Sequence, residues 1–344
     1  MALETQTISS AEIKPLFSFD LDAAQELGTA HLAADDFFDL PCYSYSMPYN
    51  SAVLEVAPNR SGHYGQIESQ GRHRPDLNTW TLDCSFFGSP TAIKANCLWL
   101  FGDGDGTAAL TPATGIGNGT AGDMQMKDAA TSNNHTTVIF RNGGTDATAE
   151  DMVVRGCIPQ SVTFKEDVGS NSGQLTIDTT LWTAYPPTEE ANAIAVDTTD
   201  TGTPHSIFNL NTGSVAGAIS LAGQDIMPLA WEITVSRTIE RVGCKAYSGE
   251  YLPWAYAQTG AWEVTGSVTV KADDNTYDLI AQLKGDSAGQ NLTISEASSF
   301  EFALPDVMVE QAALDIGGTN LTHTIPFRAF AANTTANILS IDLS

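Results

Sequence analysis

Positive charge is scarce in this chain. Fifteen Lys plus Arg stand against 41 Asp plus Glu in 344 residues, a formal net charge of -26. Affinity for phosphate comes from clustered Lys and Arg, so a conventional nucleic-acid binder is excluded, as is docking on an anionic membrane surface. Cysteine is sparse and odd in number: Cys42, Cys84, Cys97, Cys157 and Cys244 contain no CxxC pair. That spacing excludes a zinc-ligand set or a disulfide framework and points to free, mostly buried thiols assembled in a reducing cytoplasm. No run approaches the roughly 18 apolar residues of a membrane span. The amino terminus, MALETQTISSAEIKPLF, is acidic and lacks the basic-then-apolar order of a secretory signal. Catalytic motifs are missing as well. There is no GxSxG elbow, no P-loop and no GxGxxG after a strand, and His31, His63, His73, His135, His205 and His323 have no metal-ligand spacing. Gly102 to Thr107 (GDGDGT) has the look of a calcium loop, but the twelfth position from Asp103 is Thr114, which supplies no carboxylate. A turn after a helix is the expectation there. No catalytic residue, cofactor or metal is expected, and the chain reads as a non-enzyme.

What is present is a strand-rich globular chain. Hydrophobic residues make up 42% of it, enough to form a core, and its length suggests two domains. In Gln174 to Leu181 the residues Leu175, Ile177, Thr179 and Leu181 fall on one face, the period of two of a half-buried strand. Trp262 to Lys271 repeats the pattern with Trp262, Val264, Val268 and Val270. Only two short helices are expected in this body. One is capped by Ser89-Pro90, carries Ile93, Cys97, Leu98 and Phe101 on one face and ends at Gly102. The other covers Asn275–Lys284, with Tyr277, Ile280 and Leu283 as its stripe.

These features recur in order. A Trp-led strand (Trp80 or Trp262) precedes each helix, and Gly102-Asp103 or Gly285-Asp286 closes it. Val53 to Val56 matches Glu232 to Val235, Pro159 matches Pro305, and Leu175-Thr176 matches Leu321-Thr322. A duplication follows. The expected organisation is an N-terminal arm over 1–44, a first domain over 45–190, a linker over 191–219 rich in Pro, Thr and acid, and a second domain over 220–344.

With its aromatic-led strand, short helix ending in Gly and late strand pair, the repeat resembles the tail-tube (major tail) proteins of long-tailed phages. Ile325 to Leu343 is similar to that family's closing strands, and Val154 to Tyr185 to the middle of members that carry two tube domains in one chain. The resemblance covers residues 45 to 344. It implies a mainly all-β fold of two tandem β-sandwich or half-barrel domains, each with one short α-helix. It also implies stacked rings, with three chains supplying six domains, assembled in the host cytoplasm and residing in the virion tail. The implied partners are further copies of the chain, tape-measure, tail-terminator and distal tail proteins, and viral DNA passing without specific binding. No membrane is involved. An acidic lumen would suit a conduit through which a polyanion slides.

Two sets of residues stand out. Arg60, Arg72 and Arg74 in the first repeat, and Arg237, Arg241 and Lys245 in the matching turn of the second, are expected to reach acidic surfaces of the next ring. Trp80 and Trp262 are expected to anchor the cores. The competing function is a carbohydrate-binding or adhesive β-sandwich that uses exposed Trp99, Trp182 or Trp254.

Overall fold

The computed structural model describes residues 13–18, 37–48, 53–56, 71–74, 79–101, 115–117, 136–142, 151–170, 173–190, 198–199, 204–208, 218–243, 245–247, 250–253, 255–272, 280, 289–296, 300–310, 313–315, 321–331 and 337–342. The fold is mainly β. The first half supplies β1 (Ile13–Ser18), β2 (Phe37–Asp39), β3 (Cys42–Tyr45), β4 (Val53–Val56), β5 (Gly71–Arg74) and β6 (Trp80–Phe87), then α1 (Pro90–Phe101). It continues with β7 (Gly115–Gly117), β8 (Thr136–Asn142), β9 (Asp151–Asp167), β10 (Thr176–Thr183), β11 (Thr188–Glu190) and β12 (Thr198–Thr199). The second half supplies β13 (Ile219–Leu221), β14 (Gln224–Ile226), β15 (Pro228–Ser236), β16 (Ile239–Val242), β17 (Lys245–Tyr247), β18 (Glu250–Leu252), β19 (Ala255–Gln258) and β20 (Glu263–Lys271). It ends with β21 (Gln290–Glu296), β22 (Phe300–Val309), β23 (Ala313–Asp315), β24 (Thr322–Ala329) and β25 (Asn337–Asp342). Ile280 is helical and buried. The rest of the second expected helix, Asn275–Lys284, and the Gly102–Thr107 turn lie outside the described residues.

The two halves pair their strands in the same order. In the first the order is β1-β8-β9-β10-β6-β3, every neighbour antiparallel. In the second it is β13-β21-β22-β24-β20-β15, again antiparallel throughout. Each long strand, β9 or β22, serves two layers. The first part of β9 pairs with β8 and β11, and its last part with β10. Gly156 lies where β9 passes between them, at φ 58, and a Cβ there would press on the Tyr185 ring. Only glycine takes that bend without strain.

The strand that lies beside the Trp strand in the first half is β3, not Val53–Val56. Val53–Val56 instead forms a separate hairpin with β5, and its counterpart is β16 paired with β19. β3 and Val53–Val56 are both runs of only four residues, too short for local pattern to tell which of them pairs with β6. The stretch read as an arm also differs from expectation: β1 and β3 are sheet strands, with Leu16 and Phe17 fully buried. The expected linker likewise enters the body at residues 204–208. There Leu175 N–H donates to His205 O, His205 N–H to Gly88 O and Gly88 N–H to Leu175 O, and Ser206 and Ile207 are buried.

Helix α1 starts as its sequence dictates. The Ser89 hydroxyl accepts from Ala92 N–H at 3.1 Å, capping one of the free donors of the first turn. It is not amphipathic, however: Ala92, Ile93, Ala95, Cys97, Leu98, Trp99 and Leu100 are all buried. A helix apolar on nearly every side is one enclosed by its surroundings. Its buried Asn96 is satisfied by donating to Ala92 O at 2.8 Å and accepting from the Thr179 hydroxyl at 2.5 Å. One large core runs through both halves, from Phe17, Phe86 and Trp99 to Phe164, Trp231 and Phe302.

Candidate assembly surface

The last part of β9 pairs with β10 on one side and with β15 on the other, Val162 opposite Val235 and Phe164 opposite Ile233. The halves therefore share one sheet of eight strands, β3-β6-β10-β9-β15-β20-β24-β22, with β23 extending the last. One face of it is core. Alternation puts the opposite set of side chains on the other face, and these are nearly all polar.

Registered rows cross that face over five or six strands. One row runs Ser85, Asp178, Thr163, Thr234, Thr265 and Arg328. The next runs Asp83, Thr180, Ser161, Ser236 and Glu263. Cross-strand hydrogen bonds hold them: Ser85 to Asp178 at 2.7 Å, Thr180 to Asp83 at 2.7 Å, Thr163 with Thr234 at 2.8 Å and Thr269 with Thr324 at 3.2 Å. The cations are few and engaged. Lys165 bonds Asp178, which raises the lysine pKa, and Arg328 bridges Glu263 at 2.8 Å. Asp83 and Glu232 are hydrogen-bonded by hydroxyls and lack a cation within bridging distance among the described residues. The face is thus hydroxyl-rich and carries uncompensated negative charge.

Among the described residues the two outer edges of this sheet are unpaired. Among the described residues no strand lies beyond β3, and none lies on the matching edge of β22 past Val307 or along β23. Exposed apolar side chains gather at both edges, Tyr43 (46%) and Met47 (41%) at one, Met308 (45%) and Leu314 (42%) at the other. Unpaired edges with apolar neighbours are templates for pairing with another chain.

In an antiparallel sheet, strands four places apart run in the same direction. β3 and β15 are such a pair, so the β4–β5 and β16–β19 hairpins that follow them leave the sheet at the same end. The expected basic residues lie on or beside these hairpins. Arg72 stands opposite Glu55 and Arg74 opposite Val53, Arg241 is on β16 opposite Tyr256, and Lys245 starts β17. Arg60 lies outside the described residues. Arg237 is different. It sits between β15 and β16 but is only 3% exposed, its Nε donating to Pro159 O at 2.8 Å and its guanidinium 4.8 Å from the centre of the Trp262 ring. Trp262 itself is half-buried at the rim of the core, whereas Trp80 is buried at the start of β6.

No protein-family model and no curated protein matches the chain. Function must therefore be argued from the surface. Of the aromatic residues named for sugar stacking, Trp99 is fully buried and Trp182 is 6% exposed, edge-on to Tyr256 at 4.7 Å, so neither offers an open face. Trp254 lies outside the described residues. Cys84, Cys97 and Cys157 are buried free thiols; burial raises the pKa of Cys97 and Cys157, and a hydrogen bond with Cys42 followed by burial raises that of Cys84, so the reactive thiolate is disfavoured. The buried Glu166 and the nearby hydrogen-bonded pair His205 and Glu296 escaped sequence reading. Glu166 follows Val162 and Phe164 at a period of two, the one signal that could have placed it inside.

Proposed function

We propose that the chain is a tail-tube subunit of a tailed virus, three copies closing a ring and rings stacking into a conduit for viral DNA. The observation that carries this reading is the β9–β15 joint. It joins two halves of identical strand order, and it joins them by unlike edges, the long strand of one to the first inner strand of the other. A heterologous joint repeats indefinitely or closes into a ring. The edges left over are the same two kinds, β22–β23 and β3, so a second copy can dock on the first as the second half docks on the first half.

Three copies of an eight-strand sheet make a barrel of 24 strands. With strands about 4.8 Å apart and tilted about 40°, that barrel is roughly 45–50 Å across at the backbone, wide enough for a DNA duplex after side chains are subtracted. Its core faces lie outward, towards the second layer of each half, and the polar face becomes the lining. Hydroxyls and acids without spare cations suit a lining that must not hold phosphate. The hairpins, leaving from one end, would then meet the next ring. Tape-measure, terminator and distal tail proteins are the partners expected at the ends of such a tube.

The test is electron microscopy of the purified chain, beside a variant with Met308→Lys and Leu314→Lys. Charged edge residues block strand addition. The parent forms rings or tubes of uniform width with threefold symmetry, and the variant stays monomeric while keeping its circular dichroism. A parent that remains monomeric at every concentration, or a variant that assembles normally, refutes the proposal.

A further inference from the structure

A bulge in β3 brings two thiols together at the edge of the sheet. Cys42 stands opposite Phe86 and Tyr45 opposite Cys84, while Ser44 faces Ser85, so Tyr43 is the extra residue. Facing residues in a ladder point to the same side, and Phe86 and Cys84 are both buried on the core side of β6. Cys42 therefore lies diagonally beside Cys84 on that side, and the two thiols are hydrogen-bonded to each other.

The pair is unequal. Cys84 is buried, whereas Cys42 is partly exposed on an outermost strand. The hydrogen bond with Cys84 lowers the pKa of Cys42; burial works against it, and the backbone of Ser44 and Ser85 works with it. The same bond, followed by burial, raises the pKa of Cys84. Oxidants select a thiol that is reachable and inclined to ionise, above all one with a second thiol beside it to resolve the product. Cys97 and Cys157 offer neither property: both are fully buried, and burial raises their pKa values.

We propose that Cys42 and Cys84 are a redox-active pair, Cys42 reacting with a peroxide and Cys84 resolving the product as a disulfide that clips β3 to β6. The Cys42 sulfur attacks one peroxide oxygen and the O–O bond breaks. The other oxygen leaves as water with the proton that Cys42 gave up, and Cys42 becomes a sulfenic acid. The Cys84 sulfur then forms the S–S bond as the S–O bond of Cys42 breaks, and the Cys84 proton leaves with the hydroxyl as a second water. Two thiols are oxidised, and one peroxide is reduced to two waters. Among the described residues β3 pairs with β6 alone, so the strand can shift to close the bond without breaking a second ladder. The pair belongs to the single chain and stands independently of the ring reading.

The experiment uses the full chain, reduced and then freed of reductant. It is treated with stoichiometric hydrogen peroxide, quenched with N-ethylmaleimide, digested and mapped by mass spectrometry. The folded parent gives a linked Cys42–Cys84 peptide pair that dithiothreitol opens, and Cys42→Ser leaves Cys84 as a free thiol. Cys84→Ala lacks the resolving thiol, so it accumulates a Cys42 sulfenic acid that dimedone captures. Amide hydrogen exchange over residues 42–45 of the parent slows on oxidation and recovers with dithiothreitol. If Cys84→Ala does not fold, the parent is oxidised in urea beside the folded parent, and the Cys42–Cys84 link forms faster in the folded chain. Equal rates in the two states overturn the proposal. So does a folded parent in which Cys42 stays unlinked, or in which Cys84 joins Cys157 or Cys244 instead.

Discussion

Glu166→Gln should remove a loss of stability that the parent suffers as pH rises from acid to slightly alkaline. Glu166 is 2% exposed on the core face of β9. Burial is the main reason its pKa rises from the usual 4.5 to about 8, and the nearby Glu296 carboxylate pushes it further the same way. The hydrogen bond that Oε2 accepts from Ile207 N–H at 3.1 Å opposes this, as does the neighbouring Trp231 indole. Around the pair, His205 Nδ1 lies 2.7 Å from Glu296 Oε2. Since the folded pKa is raised, the folded state holds a proton that the unfolded chain has released. Stability is therefore greatest below about pH 4.5 as far as this group is concerned, and is lost as pH rises towards 8. At about 1.4 kcal/mol per pH unit the loss across that window is about 4 kcal/mol. A glutamine keeps the acceptor for Ile207 and cannot ionise. The assay is urea unfolding of the parent and Glu166→Gln at pH 5, 6, 7 and 8. The two should be close at pH 5, and the variant the more stable by a few kcal/mol at pH 8. Parallel curves for parent and variant would refute the assignment of Glu166 as a buried, protonated carboxyl.

Other outcomes follow from the same packing. Gly266→Ala on β20 would drive its methyl into Glu232 O and the Phe327 ring, so thermal unfolding should show a loss near or above the roughly 3 kcal/mol upper end of overpacking. Trp80→Ala, removing a buried ring, should cost about 3–5 kcal/mol by chemical denaturation. Asn96→Ala strands the Thr179 hydroxyl inside the core and should cost about 1–3 kcal/mol in the same assay, whereas Arg328→Ala, at an exposed bridge, should cost under about 1 kcal/mol. Changing Arg72, Arg74 and Arg241 to Glu, leaving the buried Arg237 intact, should shorten or abolish tubes with circular dichroism unchanged. Tubes of normal length from that triple variant would show that the hairpins do not dock between rings.

Local pattern was enough to establish much of the protein. Period-two alternation marked β10 and β20 and their inward faces, because each side chain on a strand alternates regardless of partner. Ser89 and Pro90 announced the start of α1, since capping is settled within one turn. The ordered recurrence of Trp, helix and Pro exposed two halves of like construction, and the strand orders of those halves agree. Tertiary structure decided whatever depends on partners distant in sequence. Cys42–Tyr45 rather than Val53–Val56 lies against β6, a choice between short strands of equal local merit. Ser206 and Ile207, acidic-loop neighbours by composition, are buried, held in place where the backbone of the adjoining His205 completes hydrogen bonds to Gly88 and Leu175. Arg237 reads from sequence as a turn cation that reaches towards the next ring and is instead enclosed, since the bulge at Gln160 and the ring of Trp262, far apart in the chain, close over it. The β9–β15 joint, on which the assembly proposal rests, is likewise invisible to local pattern: either strand could have ended a sheet, and only folding made each the other's neighbour.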